Sequence, residues 1–329
     1  MYFQSDFVKL ILLGLILTFF GCDRGNNINE PDDGLAPAIP SGIRVFYSND
    51  GVIELEWINN NEGDLKGYNI YRSVNDTSHF RILGYTNSDY YVDDSLYYDS
   101  TYYYYITAID DKNRESSPTS VVSGKPLNRF IPLAVRNIQI NARNWNNVKE
   151  IYLWWDRSRE PDIKGYNIYR SLSQNFSADS TTLLAFSPSV SYIDTFNLEL
   201  YQTYYYRITA LDLGKFESNS IIEVSDLILE PPVILFPANN AVVDYFEKFK
   251  IGTVGAPARY RVILQTNQYF GEVWSTEIIS NEINSVIDVE LGYGYMERNK
   301  TYYWRVAAYS GNSSEPNSIT NLYNFTIKP

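Results

Sequence analysis

Cysteine occurs once in this 329-residue chain, histidine once and methionine twice. A single cysteine, Cys22, excludes an internal disulfide, and one cysteine with one histidine cannot supply the three or four ligands of a zinc site. No stretch shows sustained helical periodicity with caps. There is no P-loop and no glycine-rich fingerprint behind a strand. Cationic surplus is missing too: 39 acidic residues outweigh 27 basic ones, for a formal net charge of −12. That field repels nucleic acid and anionic headgroups, so no nucleic acid is expected among the partners, while a lipid anchor remains compatible with it. The one continuous apolar run, Leu10 to Gly21, has 12 residues. It is too short to span a bilayer and has the length of an export h-region.

What the chain has in excess is tyrosine: 30, with 16 Phe and 6 Trp. Aromatics strung through Thr, Ile and Val favour strands. The chain also repeats itself. "DLKGYNIYRS" at 64–73 and "DIKGYNIYRS" at 162–171 begin 98 positions apart, and Trp57 and Trp155 keep the same spacing. Downstream, "TYYYYITAID" (101–110), "TYYYRITALD" (203–212) and "TYYWRVAAYS" (301–310) form three copies of one phrase. A period near 100 residues is that of a whole domain.

Proline clusters at 37–42, 124–134 and 229–240 mark the boundaries, since proline lacks the N–H a sheet interior needs. Between the first two lie short strand-like segments at 43–48, 52–58, 66–73, 79–84, 90–93, 102–109 and 119–122. In "GVIELEW", Ile53, Leu55 and Trp57 alternate with polar residues, the mark of a strand with one wet face. Short strands joined by polar turns predict an all-β chain of two-sheet antiparallel sandwiches.

Each unit resembles a fibronectin type III domain, the immunoglobulin-like sandwich found in tandem in bacterial surface proteins. Trp57 and Trp155 match its buried second-strand tryptophan, and Tyr68 and Tyr166 its third-strand tyrosine. Tyr102, Tyr204 and Tyr302 match the tyrosine corner, whose hydroxyl bonds to nearby backbone. The third unit is divergent: "FEKFKIG" (246–252) has no tryptophan, with Ile251 expected in that slot, and "ARYRVIL" (258–264) turns Tyr260 and Val262 inward. The N-terminus, an apolar run ending in Gly21-Cys22, resembles a bacterial lipoprotein signal, departing from it at Phe19 and Phe20. This implies cleavage before Cys22, acylation there, and a lipid-anchored protein of the bacterial envelope facing periplasm or exterior. The implied organisation is a signal peptide (1–21), a flexible tether (22–40) and sandwiches at 41–126, 131–228 and 231–329.

The repeated decapeptide reads as framework. Asp64 and Asp162 are expected to close a turn, Gly67 and Gly165 to relax the backbone ahead of the core tyrosine, and Arg72 and Arg170 to lie over an aromatic with the charge in water. Candidates for chemistry are sparse. His79 reads as an exposed strand-edge residue. The pairs Asp93-Asp94 and Asp110-Asp111, with Asp194 and Asp212 in the second unit, lack the dense spacing of a calcium loop and read as turn residues. No catalytic, metal or cofactor-binding residue is assigned, and no cofactor. The glycosylation-like triplets at Asn75, Asn175, Asn299, Asn312 and Asn324 read as chance products of an Asn-rich chain. Alternation sends Tyr103, Tyr105, Tyr205 and Tyr303 away from the core, and with Tyr90, Tyr91, Tyr97 and Tyr98 they suggest aromatic surface. Two readings of these tyrosines stay open: ordinary strand formers, or a surface for an envelope protein or glycan. The functional expectation is a non-catalytic interaction or spacer module, with a carbohydrate-binding accessory protein as the alternative.

Overall fold

The computed structural model describes residues 34–146, 148–311 and 313–329. The expected signal peptide, Cys22 and most of the tether therefore lie outside the described residues, as does Asn312. The chain is all-β, with no helix among the described residues.

The first unit contains β1 (Ser41–Asn49), β2 (Val52–Ile58), β3 (Leu65–Val74), β4 (Arg81–Thr86), β5 (Tyr90–Asp93), β6 (Tyr102–Asp110) and β7 (Val122–Gly124). They form two antiparallel sheets, β1-β2-β5 and β4-β3-β6-β7. The second unit repeats the plan with β8 (Gln139–Trp145), β9 (Val148–Trp154), β10 (Ile163–Ser171), β11 (Leu183–Ser187), β12 (Ser191–Asp194), β13 (Thr203–Asp212) and β14 (Glu223–Leu227). Its sheets are β11-β10-β13-β14 and β12-β9-β8. Strand β8 pairs onward with Ser318–Ile319 of the third unit, so that β12-β9-β8 belongs to one nine-stranded sheet shared by the two units. The third unit runs through β15 (Val233–Phe236), β16 (Ala241–Val243), β17 (Lys248–Gly252), β18 (Ala258–Gln265), β19 (Glu272–Ser280), β20 (Val286–Glu290), β21 (Thr301–Tyr309), β22 (Ser318–Ile319) and β23 (Tyr323–Ile327). One of its sheets is β15-β17-β20, and the other is built on β19-β18-β21.

Period-two alternation is what makes each sheet bury one face. In β6, Tyr102, Tyr104, Ile106 and Ala108 are buried while Tyr103 and Tyr105 are half-exposed. Three separate hydrophobic cores result, one per unit. Gly67 and Gly165 sit at a register shift where β3 and β10 crowd the next strand. A Cβ at Gly67 would meet Thr86 O at 2.5 Å, and one at Gly165 would meet Ser187 O at 2.6 Å.

Two strands differ from the sequence expectation. The segment expected at 79–84 starts at Arg81, because the Asp76 carboxylate accepts the backbone N–H groups of Ser78 and His79 and holds them in a turn. The segment expected at 119–122 pairs as a strand only from Val122, since Thr119 satisfies Ile106 N–H with its own hydroxyl.

Candidate binding surface

The tyrosine-corner bond is present in all three units with one geometry. Tyr102 OH accepts Tyr97 N–H at 2.9 Å, Tyr204 OH accepts Glu199 N–H at 2.9 Å, and Tyr302 OH accepts Glu297 N–H at 2.8 Å. Trp57 and Trp155 are buried and stand edge-on to Tyr68 and Tyr166, with ring centroids 5.2 and 5.3 Å apart. Tyr68 and Tyr166 in turn accept Asn60 and Ser158 N–H, tying the preceding turn to the core. In the third unit, Ile251 does not take the tryptophan slot. The β17–β20 register pairs Phe249 with Val289 as Ile53 pairs with Asp93, so Ile251 stands where Leu55 does. Buried Thr253, whose N–H bonds Ser285 O as Trp57 N–H bonds Asp89 O, holds the tryptophan position.

The arginines of the repeated decapeptide are only half as expected. Arg72 and Arg170 do lie over the Tyr102 and Tyr204 rings, 5.7 and 5.2 Å from the centroids. Their charge is not left in water, however. Arg72 Nη1 bonds Asp93 Oδ1 at 2.8 Å and Arg170 Nη1 bonds Asp194 Oδ2 at 2.7 Å, and both carboxylates are buried. Tyr104 OH and Tyr206 OH donate to the same carboxylates, each at 2.6 Å. Burial, then the adjacent carboxylate, pushes both phenol pKa values up. These Arg–Asp–Tyr triads use up Asp93 and Asp194, which therefore serve the core rather than the turns expected of them. The missed signal was an inward-facing Arg two residues past an inward Ile. Asp110 is likewise engaged, by Arg114 Nε at 2.5 Å and two backbone N–H groups.

The Asp64 and Asp162 side chains do not close their turns as expected. Asp64 pairs with Arg114 at 3.6 Å, and Asp162 accepts the Tyr98 hydroxyl of the preceding unit.

On the outer face of β4-β3-β6-β7, Tyr105 stacks on Tyr71 at 4.6 Å and 18° and touches Phe80 at 4.7 Å. Beside them Glu115 Oε1 accepts Asn69 Nδ2 at 3.1 Å, Tyr71 OH at 2.8 Å and the Thr107 hydroxyl. Burial and then this hydrogen bond push the Tyr71 phenol up to about 12. Burial would raise the Glu115 pKa, but the three donors outweigh it and hold it low. The second unit repeats the polar half, with Glu217 accepting Asn167, Tyr169 and Thr209. It does not repeat the rings: Arg207 stands at the Tyr105 position, 5.4 Å from the Phe176 centroid. Tyr103, Tyr205 and Tyr303 are half-buried on their outer faces.

The other tyrosines do not join this patch. Tyr90 and Tyr91 belong to β5 in the opposite sheet, where Tyr91 packs on the core. Tyr97 is exposed on a loop, and Tyr98 faces the second unit.

His79 is exposed beside Ser78 and Asp76, a combination of triad residue types. Both partners reach the same ring nitrogen, Nδ1, at 3.2 and 3.0 Å. A relay needs the acid and the nucleophile on opposite nitrogens, so this is a turn and not a catalytic unit. No group of three or more His, Cys, Asp or Glu is placed to hold a metal ion, and no helix is long and apolar enough to cross a membrane, among the described residues.

The strand order defines a tandem array of fibronectin type III-like sandwiches, an all-β architecture. Among solved structures the chain is similar to the chicken CNTN1 FN1-FN3 domains, with 14% identity over 89% of this chain and 99% of that one, at a TM-score of 0.36. No family model and no curated protein matches the sequence.

Proposed function

We propose that the chain is a non-catalytic interaction and spacer module of a bacterial cell envelope, anchored by lipid at Cys22, that binds an envelope protein through the outer face of its first sandwich. The observation that carries this reading is the Tyr71–Tyr105–Phe80 cluster beside edge strand β4. Tyr71 and Tyr105 each spend a ring face on the other, so they offer ring edges and the Tyr105 hydroxyl, which suit protein contact better than sugar stacking. Along β4, Ile82 and Tyr85 are exposed, and among the described residues β4 pairs only with β3. A partner strand can add there. A glycan partner is the second reading, favoured by the number of exposed tyrosines.

The test is capture from solubilised envelope with the full chain and with Tyr105→Ser. Loss of a metal-independent protein partner in the variant, at unchanged melting temperature, supports the reading. Retention of an oligosaccharide instead favours the glycan, and turnover of a hydrolase substrate abolished by one carboxylate substitution overturns the non-catalytic reading. The anchor is tested separately: Cys22→Ser should abolish lipid labelling and detergent partitioning.

A further inference from the structure

The two halves of the repeat treat one pair of acids differently. In the first unit, Arg114 bonds Asp110 at 2.5 Å and pairs with Asp64 at 3.6 Å. In the second unit the residue at the Arg114 position is Phe216, five positions past Leu211 as Arg114 is past Ile109. The matching acids, Asp162 and Asp212, are 5% and 1% exposed, and among the described residues neither forms an ion pair.

Asp162 and Asp212 lie against the first unit. Tyr98 OH donates to Asp162, Ser95 Oγ donates to Pro161 O at 2.9 Å, and linker Asn128 Nδ2 donates to Asp212 Oδ1 at 3.3 Å. Asp50 faces them from the first unit, accepts Arg129 and Phe130 N–H of the linker at 2.7 and 3.1 Å, and is itself approached by Tyr47. Gly51, with φ of +69°, lets the backbone come so close that a Cβ would meet Asp162 Cβ at 2.6 Å. Asp212 Oδ2 is fully buried with no donor. An ionised carboxylate placed so, with Asp162 and Asp50 nearby and no ion-pair partner among the described residues, is expensive.

We propose that the junction between the first two sandwiches is a proton-operated hinge: it closes with one proton held on the Asp162–Asp212 pair, at Asp212 Oδ2, and loosens when that proton leaves. A proton fits where a metal does not: Asp212 Oδ2 is fully buried, and among the described residues no group of three or more His, Cys, Asp or Glu is placed to hold a metal ion. The carboxyl energetics agree in sign. Burial, with the charges of Asp212 and Asp50, leaves the Asp162 pKa above its ordinary 3.8 although the Tyr98 bond and a backbone N–H lower it. Burial likewise leaves Asp212 above 3.8 despite its hydrogen bonds from Phe216 and Asn128. A raised carboxyl pKa means the closed junction binds the proton better than the open one. Closure is therefore favoured below 3.8 and lost as pH climbs from there through the raised value. For one proton the open-to-closed ratio changes by at most about tenfold per pH unit.

The second junction shows the contrasting solution. Asp226 is also buried, but its two oxygens accept Ala142 N–H, Leu227 N–H, Ser310 Oγ and Asn317 Nδ2, which leaves neither oxygen without a donor.

The test is small-angle scattering of the full chain at pH 8 and at pH 3.8, for the native protein, Asp212→Asn and Phe216→Arg. The native protein should be more extended and more heterogeneous at pH 8. Asp212→Asn, a fixed mimic of the protonated acid, should be compact at both values. Phe216→Arg supplies the missing cation and should also lose the pH response. An identical native profile at both values, or a pH response retained in Asp212→Asn, overturns the proposal. So does compaction at pH 8 by calcium chloride alone, which would make the occupant a metal ion. Asp212→Asn decides the matter if Phe216→Arg fails to fold.

Discussion

The first two sandwiches and the third solve one packing problem in opposite ways. In units one and two, Arg72 or Arg170 pairs across the ladder with Tyr104 or Tyr206, and Asp93 or Asp194 reaches in from the facing sheet. In unit three the same ladder positions hold Leu264 opposite Trp304, with Val289 from the facing sheet, all fully buried in one core. A charged, hydrogen-bonded triad has become an apolar one on the same backbone plan. Buried ion pairs are weak evidence for stability, because desolvation offsets their attraction, and well-packed apolar groups of similar volume often replace them without loss. The triad's contribution is better sought in register: it lets only one alignment of β3 on β6 satisfy the buried Asp93. The third unit fixes its core instead by ring contacts, with Phe249 4.5 Å from Trp304 and 5.7 Å from Trp274.

The comparison can be broken most severely by leaving a charge alone. Arg170→Leu strands Asp194, which is 0% exposed, and should destabilise the second unit by roughly 3–5 kcal/mol. Hydrogen exchange resolved by segment should show the loss in β10 and β13, with the third unit unaffected. Protection unchanged in those strands would mean the triad is an ornament of the surface. Trp57→Ala removes a buried ring in the first unit and should cost a similar amount, about 3–5 kcal/mol, through the cavity it leaves. Chemical denaturation followed by tryptophan emission checks it.

A sharper trial transplants the third unit's answer. Arg72→Leu with Asp93→Val and Tyr104→Trp should recover most of the loss caused by Arg72→Leu alone, finishing within about 1–2 kcal/mol of the native protein. If the triple variant is as unstable as the single one, the two cores are not interchangeable solutions.

Smaller effects separate what the units share. Tyr102→Phe and Tyr302→Phe each delete one hydroxyl-to-backbone bond and should each cost about 1 kcal/mol, regardless of which core lies behind. Tyr204→Phe deletes two, because its hydroxyl also donates to Asn197 O, and should cost more. A loss confined to the first two units would tie the corner to the triad.

The smallest contrast is in pH. Burial raises the Asp110 pKa, but the Arg114 bonds and backbone donors outweigh it and hold it below its ordinary 3.8. Its contribution is present above 3.8 and is lost as pH falls through the lowered value. Asp212, raised above 3.8, behaves oppositely: acidification toward 3.8 relieves it. Carboxyl-carbon chemical shifts across pH 2 to 7 should show Asp110 titrating below Asp212, and Arg114→Phe should move Asp110 upward.

Much of the framework was written in local pattern. Period-two alternation in the Tyr-rich phrase marks its buried face, and the recurrence of Trp57 at Trp155 exposes a domain-length repeat, because both depend only on residues near in the chain. The outer patch was half visible. Alternation sends Tyr105 outward, but its partners Tyr71 and Phe80 come from another strand and a loop, and the separation of Tyr90 and Tyr91 onto the other sheet required knowing the strand order. Thr253 in the tryptophan slot was hidden because a shorter turn between β17 and β18 shifts the count against the first two units.

An all-β chain, three repeated phrases and too few ligands for zinc are legible in the residues alone, since these follow from composition and periodicity. Where the charges go depends on the folded arrangement. Arg72 meets Asp93 across two sheets, Asp162 meets Tyr98 across two sandwiches, and the loss of a cation at Phe216 matters only because folding buries Asp212 beside it. Desolvation is a property of surroundings, and surroundings are assembled from residues far apart in the chain.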